Sequence, residues 1–119
     1  MSDLRIYIVI NNSVQMSKGK IVSQACHAMA MMTETMLKRY PTEWERYKRY
    51  GQAKIVLKAP EELMSNLIKR YSDPTERVFC HSVRDAGLTQ VESGTLTSLI
   101  FCPLRKEEIP NEIKFLKLL

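Results

Sequence analysis

Long apolar runs are missing from this sequence. No segment approaches the roughly 20 consecutive apolar residues that a membrane-spanning helix requires, so no membrane partner is expected. The first ten residues follow a strand-like pattern and do not have the charged and apolar regions of a signal peptide. Internal repeats and low-complexity tracts are also missing. We therefore expect a soluble protein with the cytoplasm as its default compartment; an organelle and a virus-infected host are the alternatives that the sequence leaves open.

Cysteine is scarce, and its three occurrences, Cys26, Cys80 and Cys102, lie far apart. No CxxC pair occurs, so neither a zinc site nor a redox pair is predicted. The apolar surroundings of each thiol indicate a small buried core residue, and unpaired thiols fit a reducing compartment. GxSxG, HExxH, P-loop and GxGxxG motifs are missing too. A serine nucleophile or a metal mechanism therefore has no support.

Size and charge point to one basic domain. The chain has 119 residues, of which 45% are hydrophobic, and we expect residues 1–119 to form a single domain with its own core. Lysine and arginine outnumber aspartate and glutamate by 18 to 13, which gives a net charge of +5. A basic surface favours an anionic partner, with nucleic acid as the leading candidate.

Hydrophobic periodicity and turn residues predict strands that alternate with helices. The predicted strands cover residues 4–10, 53–58, 77–83 and 97–103, and the predicted helices cover residues 18–40, 42–50 and 60–71. Ser17 is a suitable cap for the first helix, and Pro41 follows its expected end. A short acidic turn or helix and a tail follow the last strand.

The resulting order, β-α-α-β-α-β-β, is typical of an α/β fold. We expect a three-layer α/β/α sandwich with a mixed, mostly parallel four-stranded sheet. The loop before the last strand is long for a tight hairpin, so one strand is expected to be antiparallel. Ligands of such folds bind outside the carboxyl ends of the parallel strands. Residues 11–13, 58–59 and 83–85 are therefore predicted to meet at one rim.

The segment "KGKIVSQACHAM" places three polar side chains on one face of the first helix. Lys20, Gln24 and His27 are spaced i, i+4 and i+7, which brings them within about 40° of one another around the axis. The apolar face is predicted to lie elsewhere, through Ile21, Ala25, Ala28 and Met32. Lys18 and Lys20 stand at the positive end of the helix dipole, where a bound phosphate would relieve the repulsion. Solvated lysines and a packed histidine are the commoner explanation of such a stripe.

The loop "RDAGLTQ" provides a second polar cluster at the same predicted rim. Asp85 directly follows a buried strand, Thr89 and Gln90 come shortly after it, and Thr97 opens the next strand. A carboxylate and hydroxyl groups at a strand end can hold a water molecule and polarise a carbonyl. The alternative is an Asx-type turn that only shapes the loop. His81, inside a strand, is expected to be structural.

Four segments together resemble one known family. "MSKGKIVSQACHA", "GQAKIVLKAPEEL", "VRDAGLTQVESGTLTSLIFCP" and the closing "FLKLL" are similar to the type II peptidyl-tRNA hydrolases, in the same order and at the same spacing. The resemblance covers nearly the whole chain. It implies an enzyme that hydrolyses the ester bond of peptidyl-tRNA, releasing peptide and free tRNA for recycling. It also implies a mixed four-stranded sheet, a homodimer, and neither a metal nor an organic cofactor.

The resemblance also implies roles for particular residues. The family's active residues correspond to Lys20, Asp85, Thr89 and Thr97 in this sequence. His27 and Gln24 line the same cleft, His27 rivals Asp85 as general base, and Gln90 accompanies Thr89 in the loop motif. Lys18 and Lys58 are the implied contacts for tRNA phosphates.

Two departures from the family pattern keep other hypotheses open. Asn11 and Ser13 stand where the family usually has an arginine and an acidic residue, and Leu88 stands where a basic residue is frequent. These changes would fit a catalytically weak or inactive relative that acts as a tRNA- or protein-binding adaptor. A small α/β domain with an unrelated anionic ligand is the third hypothesis.

Overall fold

The computed structural model describes residues 4–87 and 91–119. Its four strands are β1 (Arg5–Asn11), β2 (Ala53–Ala59), β3 (Cys80–Arg84) and β4 (Leu96–Phe101). Its helices are α1 (Lys18–Arg39), α2 (Pro41–Arg49), α3 (Glu61–Tyr71) and α4 (Asn111–Lys114), with a 3₁₀ turn over Lys106–Glu108. The predicted order of strands and helices is confirmed. In the part of the chain described here, no helix has the length and apolar character to cross a membrane.

The helix boundaries follow from local sequence signals. Ser17 has extended backbone angles, and its Oγ accepts a hydrogen bond from the N–H of Lys20 at 3.2 Å, as a helix N-cap does. Pro41 begins α2, where its missing N–H is no loss because the first helical N–H groups have no partner within the helix. Gly51 then adopts φ +102°, which a residue with a side chain rarely does, and the chain turns into β2.

The sheet is mixed, with strand order β2-β1-β4-β3. β1 pairs in parallel with β2 along its whole length, from Arg5 opposite Ala53 to Asn11 opposite Ala59. β4 runs antiparallel to both of its neighbours, β1 and β3. Three strands therefore point the same way and β4 is reversed, so the expected antiparallel strand is β4. Its position in the interior of the sheet leaves a single parallel pair.

Helices cover both faces of this sheet, as expected for three layers. On β3, the His81 ring Nε2 lies 2.7 Å from the Thr35 hydroxyl of α1. The neighbouring residue, Cys80, faces the other side, where its thiol contacts the backbone oxygen of Leu67 in α3 at 4.0 Å. Since adjacent strand residues point to opposite faces, α1 and α3 pack on opposite faces. Their apolar residues and the strands form the hydrophobic core.

The carboxyl ends of β1, β2 and β3 converge at one rim, as predicted. Asn12, just after β1, donates its N–H to the backbone oxygen of Ala59 at the end of β2, at 2.9 Å. The Asn11 side chain donates to the backbone oxygen of Leu96, which pairs with Arg84 at the end of β3. α1 begins a few residues after this rim, so its first turns are placed above it.

Three details differ from the sequence-based expectations. β3 begins at Cys80 and not at Arg77, because residues 77–79 belong to the connection that precedes the strand. Cys26 is exposed, whereas Cys80 and Cys102 are buried as expected; position 26 lies on the side of α1 that does not face the core. The tail also extends the sheet, since residues 117–119 hydrogen-bond to the outer edge of β2.

Candidate active site

A buried ion pair joins the start of α1 to the end of β3. The Lys20 ammonium binds Asp85 Oδ1, and the two side chains are only 8% and 5% exposed. The first turn of α1 contains no acidic residue, so the charge of Lys20 at the positive end of the helix dipole is balanced from another part of the fold. For Lys20, the compensating negative charge is thus internal, and a bound phosphate is not needed to explain its position.

The backbone fixes Asp85 on both sides. Its N–H donates to the backbone oxygen of Thr95 at 2.9 Å, and its own backbone oxygen accepts from the N–H of Gly94 at 2.8 Å. The register of β3 against β4 shifts between Val83 and Arg84. Such irregularities re-aim the side chains that follow them, and Asp85, the second residue after the shift, is the one that binds Lys20.

Hydrogen bonds keep Asp85 ionised. Lys20 donates to one carboxylate oxygen, and the N–H of Gly87 donates to the other at 2.6 Å. The hydrogen bond from Lys20, then that from Gly87, and the positive charge of Lys20 lower the pKa of Asp85 below its ordinary value of 3.8, against the opposing effect of burial. Asp85 is therefore a carboxylate at neutral pH and a weak base.

Gly87 is required by the geometry of this loop. Its φ is +81°, and a Cβ atom built on it would lie 2.6 Å from the backbone nitrogen of Ser93. Real Cβ atoms do not approach other atoms that closely, and the two nearest atoms, the N and Cα of Ser93, belong to the main chain and cannot swing away. The glycine of the "DAG" motif therefore permits the turn that places its own N–H on the Asp85 carboxylate.

Gln24 belongs to the buried face of α1. The buried residues of this helix form one i, i+4 row: Gln24, Ala28, Met32 and Met36. The prediction that the buried face excludes Gln24 was wrong, because α1 lies chiefly over β4 and β3; Ile21 and Ala25 are partly buried and pack at the margin of the core. The Gln24 Oε1 accepts a hydrogen bond from the Thr97 hydroxyl at 2.6 Å, and its backbone oxygen accepts from the Ser98 hydroxyl at 3.3 Å.

The other predicted site residues lie at varying distances from this pair. Lys18 and His27 are exposed on α1, and the structure assigns His27 no side-chain hydrogen bond to the described residues. Lys58 is partly buried near the end of β2. Three strand spacings, about 14 Å, separate β2 from β3, so Lys58 shares the rim but not the ion pair. Thr89 and Gln90 lie outside the described residues.

Asn11 and Ser13 form a closed hydrogen-bond network. The Asn11 Nδ2 donates to Glu61 Oε1 at 3.0 Å and to the backbone oxygen of Leu96 at 2.8 Å, while its Oδ1 accepts from the N–H of Ser13 at 2.8 Å. The Ser13 Oγ accepts from the N–H of Glu61 at 2.9 Å and so caps the first residue of α3. Asn11 is 1% exposed. The departures at both positions are therefore built into the fold and leave the Lys20–Asp85 pair intact.

His81 has the structural role that the sequence predicted. It is half-buried between the Thr35 hydroxyl and the ring of Phe79, which meets the imidazole edge-on at 5.6 Å between centroids. Burial lowers the pKa of His81 below its ordinary value of 6.5. Over residues 4–87 and 91–119, no three His, Cys, Asp or Glu side chains come together as a metal site requires.

Sequence reasoning missed two contributors to the rim. Ser98 is completely buried and ties β4 to the backbone of α1; a serine inside an otherwise apolar strand was the available signal. Arg84 is exposed at the end of β3 and donates to the backbone oxygen of Gly94 at 3.1 Å. It adds a positive charge beside Asp85, and its position directly before "DAG" was the signal.

Comparison with known proteins gives consistent results. A family model described as "Peptidyl-tRNA hydrolase PTH2" matches residues 4–119. Three relatives named "Peptidyl-tRNA hydrolase" come from archaea. The protein of Methanococcus vannielii is 37% identical over 94% of this chain and 96% of its own length. Those of Methanocaldococcus jannaschii and Sulfolobus acidocaldarius are 36% and 33% identical over 98% of this chain and 100% of their own lengths.

Proposed function

The chain belongs to the peptidyl-tRNA hydrolase PTH2 family, and we propose that it hydrolyses the ester bond of peptidyl-tRNA, releasing the peptide and a reusable tRNA. The observation in the structure that best supports this function is the buried Lys20–Asp85 pair. It lies at the carboxyl-end rim of the sheet, where ligands of α/β folds bind.

The proposed reaction is the direct attack of water on the ester carbonyl. The water oxygen bonds to the carbonyl carbon and gives up a proton to solvent, the bond from that carbon to the ribose oxygen breaks, and the ribose oxygen takes up a proton from solvent. The Lys20 ammonium carries three N–H donors and can bind Asp85 and a substrate oxygen together. It therefore stabilises the negative charge that develops on the carbonyl oxygen.

Asp85 has an orienting role in this mechanism. Its pKa is lowered by the hydrogen bonds from Lys20 and Gly87, and a weak base is a poor acceptor for the proton of water. Its carboxylate fixes the Lys20 ammonium and, with Thr89 in the same loop, positions the attacking water. Such modest assistance suffices because the ester of a peptidyl-tRNA is already reactive.

Basic side chains around the rim are proposed to hold the tRNA. Lys18 is exposed at the start of α1, next to N–H groups of the first helical turn. Lys58 and Gln90 are the further proposed contacts, and the net charge of +5 favours a polyanion in general. The adaptor hypothesis has no support among these observations: a hydrogen-bond network accounts for the departures at Asn11 and Ser13, and Leu88, the third departing residue, lies outside the described residues.

The activity is tested with an N-blocked aminoacyl-tRNA, whose ester resembles that of a peptidyl-tRNA. We expect the purified protein to deacylate it and to spare the same aminoacyl-tRNA with a free amino group. Lys20→Ala should lower the rate at least about 100-fold, as the loss of one oxyanion donor does. Lys38→Ala is the matched control, since Lys38 is an exposed lysine in the last turn of the same helix. A folded wild-type protein without turnover would contradict the proposal.

We also propose that the protein is a homodimer, joined through an apolar groove beside α1. The groove has a volume of about 770 Å³. Its lining is largely aliphatic and includes Ile21, Val22, Ala25, Met29, Val56 and Leu119. Val22 is 60% exposed and Leu119 52% exposed, as side chains that pack against a second subunit would be in the isolated chain.

The groove and the candidate active site lie on different sides of α1. Val22 is about 200° around the helix axis from Lys20, so a second subunit there leaves the rim accessible. Val22→Glu should convert a dimer into a monomer, measured by light scattering after size-exclusion chromatography. Glu34→Gln, an exposed change on the same helix, should have no effect. A wild-type protein that is monomeric at micromolar concentration would contradict this proposal.

Two further features complete the proposed function. Residues 1–119 are proposed to act as one domain, which the single hydrophobic core supports. The cytoplasm is the proposed compartment, because peptidyl-tRNA arises there during translation and the three cysteines are unpaired. Cell fractionation with an antibody against the protein tests the compartment.

A further inference from the structure

Two consecutive residues of β4, Thr97 and Ser98, hydrogen-bond to Gln24 of α1 through their hydroxyl groups. The Thr97 hydroxyl lies 2.6 Å from Gln24 Oε1, and the Ser98 hydroxyl donates to the backbone oxygen of Gln24 at 3.3 Å. Thr97 and Ser98 are completely buried, and Gln24 is 7% exposed. Both the main chain and the side chain of Gln24 are therefore fixed against the sheet.

The distances determine which way the Gln24 amide faces. A separation of 2.6 Å is typical of O–H···O hydrogen bonds and short for N–H···O hydrogen bonds, so the oxygen of the amide faces Thr97. The only other hydrogen-bond acceptor for the Thr97 hydroxyl within the described residues is the backbone oxygen of Val83, which is more distant at 3.3 Å. The single hydroxyl proton of Thr97 accordingly goes to Gln24 Oε1.

This orientation turns the Gln24 amino group away from the sheet. Nε2 carries two N–H donors, and no acceptor for them is found among residues 4–87 and 91–119. Gln24 as a whole is 7% exposed, and an unpaired donor in a buried residue calls for an explanation, of which a catalytic role is one. Gln24 stands one helical turn after Lys20 on the same face, and Lys20 is bound to Asp85. The donors thus lie beside the proposed site of ester hydrolysis.

We propose that Gln24 Nε2 donates a hydrogen bond to the ester carbonyl oxygen in the transition state, together with Lys20. Thr97 is then a positioning residue. It is completely buried and acts through Gln24, whose donors it directs towards the substrate. This inference rests on the proposed hydrolysis and assigns Thr97 and Gln24 different roles from those implied by family resemblance, in which Thr97 was catalytic and Gln24 only lined the cleft.

The test compares variants at both positions in the deacylation assay. Gln24→Met should lower kcat by about 100-fold or more with KM changed by less than a few-fold, because the hydrogen bond forms fully only in the transition state. Gln24→Glu keeps an acceptor for the Thr97 hydroxyl but removes the N–H donors, and it should show the same loss of kcat. Thr97→Val should lower kcat substantially, and Thr97→Ser, which retains the hydroxyl, should restore it.

The double variant decides whether Thr97 acts through Gln24. If it does, Thr97→Val in the Gln24→Met background should cause little further loss of kcat. Additive losses would overturn the positioning role, and unchanged kcat in both folded Gln24 variants would overturn the donor role. A rise in KM with unchanged kcat would assign Gln24 to ground-state tRNA binding and would also overturn its role as a transition-state donor. Thermal unfolding identifies any variant that does not fold. If Gln24→Met does not fold, the kcat of Gln24→Glu decides the donor role instead.

Two controls separate this inference from the proposed function. If the wild type is active and Lys20→Ala is inactive while Gln24→Met remains active, only the inference about Gln24 fails. If the folded wild type has no turnover on the N-blocked substrate, the proposed hydrolysis fails and the inference is overturned with it.

Discussion

Lys20 and Asp85 form an ion pair across 65 positions of sequence, between the first turn of α1 and the residue after β3. Each side chain is more than nine-tenths buried. Because charges are costly to bury unless they are paired and hydrogen-bonded, this contact requires α1, β3 and the loop after β3 to be placed correctly at the same time.

The pH dependence of turnover should distinguish Asp85 from His27 as general base. The pKa of Asp85 lies below 3.8, so its carboxylate is fully ionised at higher pH and gives no acid limb in kcat/KM between about pH 5 and pH 7. We expect a flat profile in that range for the wild type and for His27→Gln, since His27 is exposed and lies about two helical turns from Lys20. A limb that His27→Gln removes would identify His27 as the base.

Replacement of Gly87 should damage both stability and activity. In Gly87→Ala, the new Cβ meets the backbone of Ser93 and the φ of +81° is strained, at a cost of about 1–3 kcal/mol. Any shift that relieves the contact also moves the N–H that binds Asp85. Urea unfolding and the deacylation rate measure the two effects. The matched control is Gly19→Ala in α1, where a Cβ has no neighbour within 4 Å; its stability should be unchanged or higher.

The Asn11 network should contribute measurably to stability. Asn11→Ala leaves the backbone oxygen of Leu96 without its side-chain donor and Glu61 without its partner, so we expect a loss of about 1–3 kcal/mol in the free energy of unfolding. Asn12→Ala serves as the control, because Asn12 is exposed and its backbone N–H makes the contact with Ala59. Equal stability of the two variants would show that the network is energetically neutral.

His81 should make the fold less stable on mild acidification. Its pKa in the folded protein is lowered by burial from 6.5, so above that pH neither the folded nor the unfolded protein binds a proton there. As the pH falls below 6.5, the unfolded chain is protonated first, and stability decreases until the pH passes the lower pKa of the folded state. The melting temperature should therefore fall less in His81→Gln than in the wild type between about pH 7 and pH 5. His27→Gln, at the exposed histidine, should behave like the wild type.

Binding of tRNA should depend on Lys18 through charge alone. Lys18→Gln should weaken binding and reduce the slope of log Kd against log salt concentration by about one unit, as expected for one lost phosphate contact. Lys38→Gln at the far end of α1 should leave the slope unchanged. A fluorescence titration with labelled tRNA at several salt concentrations gives both values, and equal slopes for the two variants would remove Lys18 from the interface.

Local signals in the sequence were sufficient to predict the elements of the fold. Ser17, Pro41 and Gly51 mark helix ends because their backbone preferences act within a few residues, and the structure places the boundaries there. The meeting of Lys20 and Asp85 at one rim was also predictable, because the carboxyl ends of parallel strands share an edge of the sheet. When strands and helices follow this order, polar residues at strand ends can therefore be assigned to a common rim from the sequence.

Properties that depend on how elements pack were not predictable. Gln24 has a polar side chain of the kind usually found at the surface. Its burial follows from the position of α1 over β4 and β3. The hydroxyls of Thr97 and Ser98 explain that burial, but their pairing with Gln24 spans more than 70 residues. Cys26 was wrongly expected in the core for the same reason, since the periodicity of α1 does not tell which side of the helix meets the sheet.

The place of β4 has a consequence for the order in which the chain acquires its shape during synthesis. β4 is the last strand to leave the ribosome, yet it lies between β1 and β3 and pairs with both. Among the four described strands, β3 therefore has no neighbour in the sheet until β4 arrives, and β1–β2 is the one pair that can form earlier. Assembly of the sheet depends on distant contacts, which slow folding. The contact between Lys20 and Asp85 is consequently expected to form late in folding, after β4 has been synthesised.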